Sequence, residues 1–146
     1  GMALSEKLNH SDTRIFVLIS DGECNEGSVW EAVMFAAGQT LDNLCVIVDF
    51  NKWQATGRSC EIMALEPISA KFESFGWDAV SIDGHNMSTL LRTFDALPLG
   101  KGRPVAIIAD TIKGRGISFI EDDNNWHYRI PTAREVEQGK KELGLL

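Results

Sequence analysis

The chain has 146 residues, 44% of them hydrophobic, and a formal net charge of −7, enough for one domain with a real core. The acidic balance and the lack of any basic run exclude a nucleic-acid surface, and a phosphate site in such a chain needs a divalent cation to supply positive charge. No apolar run reaches the roughly 18 residues of a membrane span, and no signal peptide is visible.

Residues 1–8 open the chain as GMALSEKL; a glycine ahead of a methionine is a common cloning scar. Arg14 to Ile19 is a continuous apolar run, as expected of a strand covered on both faces. It ends in Ser20-Asp21-Gly22. Next, Ser28-Val29-Trp30-Glu31 reads as a capping box, with Ser28 as N-cap and Glu31 reaching back. Val29, Val33, Ala36 and Ala37 then carry helix spacing, with Trp30 and Met34 beside them. Leu44 to Val48 is a second buried strand, running out through Asp49-Phe50-Asn51. Cys45 reads as a core residue there. The three cysteines, Cys24, Cys45 and Cys60, are odd in number and not in metal spacing, which suggests a reducing cytoplasm rather than a disulfide framework.

Asp21 and Asn51 lie about thirty residues apart, one strand–helix–strand unit. Such a unit sets two parallel strands side by side, so both residues face the crevice where open α/β sheets bind ligands. A carboxylate and an amide oxygen are hard ligands suited to magnesium or calcium bridging to phosphate. The helix start between them offers unpaired N–H groups to a phosphate, and Gly22 and Gly27 leave room for close approach. The same Asp and Asn are also ordinary turn caps after strands, so the spacing leaves both readings standing.

Asn51 to Arg58 is polar and should loop over the site. Leu65 to Phe75 reads as a helix with Pro67 in its first turn and Gly76 ending it. Ala79 to Ile82 is a short strand, Asp83-Gly84-His85 a turn whose histidine stabilises it or touches a ligand. Met87 to Leu97 is amphipathic, its stripe marked by Leu90, Leu91, Phe94 and Leu97. Pro104 to Ala109 is a fourth strand, and this alternation argues for an α/β fold with a parallel sheet. Thr111 to Pro131 is a long loop, uncommon unless functional. Its run Glu121-Asp122-Asp123 reads as a solvated face rather than a second metal site, and His127 as a structural histidine or a proton carrier. Thr132 to Leu143 is a last helix, with Thr132 as N-cap and Glu135 three residues later.

SDGECNEGSVWEA, followed by LDNL and DFN, resembles the thiamine diphosphate motif of transketolases, in which Gly-Asp-Gly, Glu-Gly, Trp-Glu-Ala, Asn-Leu and Asp-x-Asn follow in order. The resemblance continues through NKWQATGR, MALEP, FGW, DGH, TIKGRGISF and NNWH, nearly the whole chain. It is nearest to the amino-terminal subunit of split, two-subunit transketolases. It implies a three-layer fold, a parallel sheet with helices on both faces, in which residues 1–146 are a thiamine pyrophosphate-binding domain, partial because the family carries a preceding segment.

The activity implied is ketol transfer, a two-carbon unit passing from a ketose phosphate to an aldose, with cofactors thiamine diphosphate and Mg2+ (or Ca2+). Asp21, Asn51 and the Trp53 carbonyl would hold the metal, and Gly22 would approach the pyrophosphate through its backbone. Glu26 matches a residue at the subunit interface, linked to the acid that activates the aminopyrimidine. That acid lies on the pyrimidine domain, so a carboxy-terminal transketolase subunit is the implied partner, with two such pairs forming a heterotetramer acting on sugar phosphates in the cytoplasm. His127 matches the histidine of a Trp-His-Gly motif that approaches the substrate and the reactive thiazolium carbon, although Tyr128 replaces the glycine. Ser20 replaces the first glycine of the motif, where its hydroxyl either crowds the cofactor or donates to phosphate. A related thiamine enzyme is a second reading, and a truncated, non-catalytic module that binds a partner is a third.

Overall fold

The computed structural model describes residues 1–100 and 102–146. In chain order it has α1 (Met2–Leu8), β1 (Ile15–Ser20), a 3₁₀ turn (Glu23–Asn25), α2 (Gly27–Gly38) and β2 (Leu44–Phe50). A small hairpin, β3 (Trp53–Gln54) and β4 (Gly57–Arg58), leads into α3 (Ser59–Ile62) and α4 (Ile68–Ser74). Then come β5 (Asp78–Asp83), α5 (Met87–Asp95), β6 (Val105–Asp110), a second 3₁₀ turn (Asn124–His127) and α6 (Ala133–Glu142).

The four long strands form one parallel sheet in the order β1-β2-β6-β5. Their β-branched and aliphatic residues suit strands covered by helices. One face, with Val46, Val48, Ala106 and Ile108, packs against α2 and α4. The other, with Cys45, Val105 and Ile107, packs under α5 through Leu90 and Phe94. The three-layer architecture follows, with every strand's carboxyl end on one edge.

Aromatic packing holds α2 and α4 to the sheet. Phe72 is fully buried between Trp30 and Trp77, with ring centroids 5.3 Å from each. Burying a side chain of this size contributes about 1.5–3 kcal/mol. Both indoles find partners, as buried Trp must: Trp77 Nε1 donates to the Val33 carbonyl at 2.9 Å, and Trp30 Nε1 to the Cys24 carbonyl at 2.8 Å. The second bond pins the turn after Asp21 onto α2.

Four local expectations are corrected. β1 is not covered on both faces: it is an edge strand, with Phe16 and Leu18 50% and 71% exposed, although the ring of Phe94 on α5 packs edge-on to Phe16. The Ser28 capping box does not form. The 3₁₀ turn runs straight into α2, so Glu26 becomes its N-cap, without a side-chain bond, and Ser28 falls inside the first turn. α4 starts at Ile68, so Pro67 is its N-cap rather than a first-turn residue; Gly76, with φ +88°, ends it as expected. Leu91 lies off the buried stripe of α5, at 64% exposure. Thr132 and Glu135 do form the reciprocal capping box on α6.

Candidate functional site

Asp21 follows the last residue of β1, and Asn51 follows the last of β2. Because Ser20 pairs with Asp49 in register, both residues emerge at the same edge of the sheet, as their spacing requires. The chain then folds back. Lys52 N donates to Asp21 Oδ2 at 3.1 Å, Ser59 Oγ donates to the same oxygen at 2.6 Å, and Gly22 N donates to Asp21 Oδ1 at 2.9 Å. Ser59 N closes the hairpin by donating to the Lys52 carbonyl at 3.0 Å. Asp21 is left with no exposed surface, a rare state for a carboxylate. Burial pushes its carboxyl above the usual range, aided by the negative charge of Asp49 and opposed by the three donated bonds.

Trp53 N donates to Asn51 Oδ1 at 2.9 Å, so the amide oxygen and the start of β3 are tied together. Asn51, Trp53 and Asp21 are thus brought to one place. Each oxygen of a carboxylate or amide has two lone pairs; Asp21 Oδ1 and Asn51 Oδ1 each accept one of the bonds described here. The carboxylate of Asp21 and the amide oxygen of Asn51 are hard oxygen donors of the kind that suits Mg2+ or Ca2+.

Gly22 is helical in φ and ψ, and a Cβ built on it would meet only Gln54 Cγ and Ser20 Oγ, both at 3.7 Å. Neither backbone conformation nor packing requires glycine there; what its missing side chain preserves is open space beside Asp21. Its N–H donates to Asp21 Oδ1. The Ser20 hydroxyl is taken as well: Ser20 N and Oγ donate to Glu23 Oε2 at 2.6 and 3.1 Å, and Glu23 N returns a bond to Ser20 Oγ at 3.2 Å. Ser20 therefore caps the turn and is not a free phosphate donor.

Glu26 is exposed at the N-cap of α2. His127 is exposed at the end of the second 3₁₀ turn, its ring edge-on to Tyr128 at 4.6 Å. Its loop nevertheless reaches the site. Asp122 receives the fork of Arg58 and the indole N–H of Trp53, and Arg58 holds its carboxyl down to about 2, the Trp53 bond adding to the effect. Asp123 caps the 3₁₀ turn by accepting from Asn125 N, and Glu121 pairs with Arg115. The acidic run is thus the exposed face expected, with Glu121 and Asp122 open to solvent, and it also serves as an anchor. His85 is structural: its Nε2 accepts from Ile112 N at 2.8 Å.

Sequence reasoning missed Ser59 and the Arg58–Asp122 pair. Both depend on contacts across 38 and 64 residues, and neither falls in a periodic pattern or a spaced motif that would mark it.

The description "Transketolase, thiamine diphosphate binding domain" matches residues 4–146. The chain belongs to the transketolase family. Among transketolase relatives, it is 37% identical over 143 residues to an apulose-4-phosphate transketolase subunit of Phocaeicola vulgatus, covering 98% of this chain and 51% of that one. It is 44% identical over 121 residues to the 6-deoxy-6-sulfo-D-fructose transketolase subunit SqwG of a Clostridium species, covering 83% and 44%. The chain thus spans about half the length of these subunits. The crystal structure of transketolase from Campylobacter jejuni superposes with a TM-score of 0.88 at 25% identity, over 97% of this chain and 23% of that one. The transketolase fold is shared, and no helix among the described residues is long and apolar enough to cross a membrane.

Proposed function

We propose that residues 1–146 form a thiamine diphosphate-binding domain that works, together with a second subunit carrying the pyrimidine domain, as a transketolase moving a two-carbon ketol unit from a ketose phosphate to an aldose. The observation that carries the reading is the carboxylate of Asp21, held without exposed surface beside Asn51 at the carboxyl edge of the sheet, in a chain of this family. A buried, raised carboxylate is stabilised by a divalent cation.

Asp21, Asn51 and the Trp53 carbonyl would hold Mg2+, or Ca2+ in its place, and Gly22 leaves space for a diphosphate against its Cα. When bound, thiamine diphosphate would supply a nucleophilic carbon and an electron sink for ketol transfer. The chain's own residues do the rest of the local work. Ser59 and Lys52 N fix the Asp21 carboxylate, so little ordering remains when the cation arrives. His127, exposed and on a loop fastened to the hairpin, meets the sugar and holds or moves a proton at its imidazole. Glu26, exposed at the start of α2, faces the partner's activating acid across the subunit interface.

The naming of these relatives as subunits supports a two-chain enzyme. The partner is the carboxy-terminal transketolase subunit, with two pairs forming a heterotetramer on sugar phosphates in the cytoplasm. The test is calorimetric titration of thiamine diphosphate with Mg2+ into the chain, alone and with the partner subunit. Binding that needs Mg2+ and tightens with the partner, followed by ketol transfer only in the mixture, is the expected result. Absence of binding in every condition overturns the reading and leaves a domain of this family that serves as a partner-binding module.

A further inference from the structure

The β3–β4 hairpin consists of two residue pairs, Trp53 with Arg58 and Gln54 with Gly57. A ladder this short does not hold its own geometry in water, yet Trp53 offers the candidate metal-binding carbonyl. A segment more than sixty residues away fastens it. Arg58 Nη1 and Nη2 donate to Asp122 Oδ1 and Oδ2 at 2.7 and 2.5 Å, a bidentate fork. Trp53 Nε1 donates to Asp122 Oδ1 at 2.8 Å, and the guanidinium lies 3.7 Å from the centre of the Trp53 ring. One carboxylate thus gathers both ends of the hairpin. Asn124 adds a tie from the same loop, its amide donating to the Gln54 and Ala55 carbonyls at 2.9 and 3.3 Å.

Asp122 sits at φ +56°, a left-handed conformation uncommon outside glycine and tolerated best by Asn and Asp. It lies five residues before His127. The pair is solvent-accessible, and an exposed ion pair adds little to stability. What a fork stacked on an indole does supply is fixed geometry.

We propose that Arg58 and Asp122 are positioning residues, which register the loop carrying His127 against the hairpin carrying the Trp53 carbonyl. The proposal rests on the transketolase reading of the site. Loading of the metal at Trp53 and placement of His127 are then coupled through one carboxylate.

The test places the variants Asp122→Asn, Arg58→Lys and the pair combined in the complex with the partner subunit. Asn tolerates the left-handed backbone and keeps an acceptor for Trp53 while losing the charge. Lys keeps the charge of Arg58 and loses the fork and the planar stack. Two quantities are read: Mg2+-dependent thiamine diphosphate affinity by calorimetry, and amide hydrogen exchange of residues 53–58. Each single variant is expected to weaken affinity about tenfold, the usual scale for a partner behind a metal ligand, and the double variant to be no worse than either single, because both break one unit. Exchange across 53–58 should quicken in Asp122→Asn although the substitution lies in another segment. Glu142→Gln weakens a separate anchor of the long loop, on Ser118, and should leave affinity unchanged.

Faster exchange with affinity held within about twofold overturns the positioning role while leaving the transketolase reading intact. Unchanged exchange overturns the latch itself. If the unmodified complex shows no Mg2+-dependent binding, the reading of the site fails, and the proposal with it; only in that case does the wild type fail.

Discussion

Two strand-end pairs on the same edge of the sheet make an informative comparison. At β1–β2, Asp21 is reached by Lys52 N and Ser59 Oγ, 31 and 38 residues away, and loses all exposure. At β5–β6, Asp83 accepts from His85 N two residues on, His85 accepts from Ile112 N, and Asp83 stays exposed. Both ends carry an aspartate just where open α/β sheets bind ligands. What separates them is the hairpin that folds back over Asp21 and removes it from water. Emergence at a carboxyl edge is shared by both ends; isolation of a carboxylate beside further oxygen donors occurs at one of them.

Breaking the β1–β2 end should have the largest effect. Asn51→Leu removes the amide oxygen and orphans Trp53 N, and its cost in Mg2+-dependent thiamine diphosphate affinity should exceed the roughly 10–100-fold typical of outer partners, read by calorimetry. Ser59→Ala leaves the ligands in place but removes one of the two bonds to Asp21 Oδ2, leaving that from Lys52 N; about a tenfold loss of affinity is expected, with a stability loss of about 1 kcal/mol in urea unfolding.

The pH dependence sharpens the contrast. Burial raises the Asp21 carboxyl, and a cation binds only its ionised form. Affinity should therefore be full above that raised value and fall as pH drops through it, in a window shifted upward from that of an ordinary aspartate. The sign reverses for the metal-free chain: its ionised Asp21 is disfavoured by folding, so this group's contribution to stability grows as pH falls through the same window. Opposite slopes in titrations with and without Mg2+ are the check.

The smallest expected effect concerns thiols. Cys24 lies under the Asp21 turn and is pushed up to about 12 by burial, with Asp21 adding to the shift; Cys45 is pushed up to about 11 by burial. Both are buried, whereas Cys60, beside Ser59, is exposed. A thiol-specific reagent at pH 8 should modify Cys60 alone in the folded chain and all three cysteines in denaturant.

The pattern of local sequence carried most of the architecture. Apolar runs marked β1, β2 and β6, because a strand between helices shows no alternation, β5 showed only as a short strand broken by Ser81, and the spacing of Asp21 and Asn51 placed them together correctly. It did not show that β1 is an edge strand, since an apolar run reads alike whether or not both faces are covered. Ser28 fits a capping box perfectly well as sequence; the preceding 3₁₀ turn, fixed by Trp30 on Cys24, decided where α2 begins. Ser59, Arg58 and Asp122 were invisible for a different reason. Their roles arise from long-range closure, and a serine, an arginine and one aspartate in an acidic run look locally like ordinary surface residues. The Ser20 substitution was visible, but its resolution by Glu23 needed the turn geometry.

The central claim is that the Asp21 end of the sheet, and not the Asp83 end, is the cation and diphosphate site. Calorimetric titration of thiamine diphosphate with Mg2+ into the complex, comparing Asp21→Ala with Asp83→Ala, tests it most directly. The expected result is loss of measurable binding in Asp21→Ala and wild-type affinity in Asp83→Ala. Binding that survives Asp21→Ala, or that disappears in Asp83→Ala, would contradict the account.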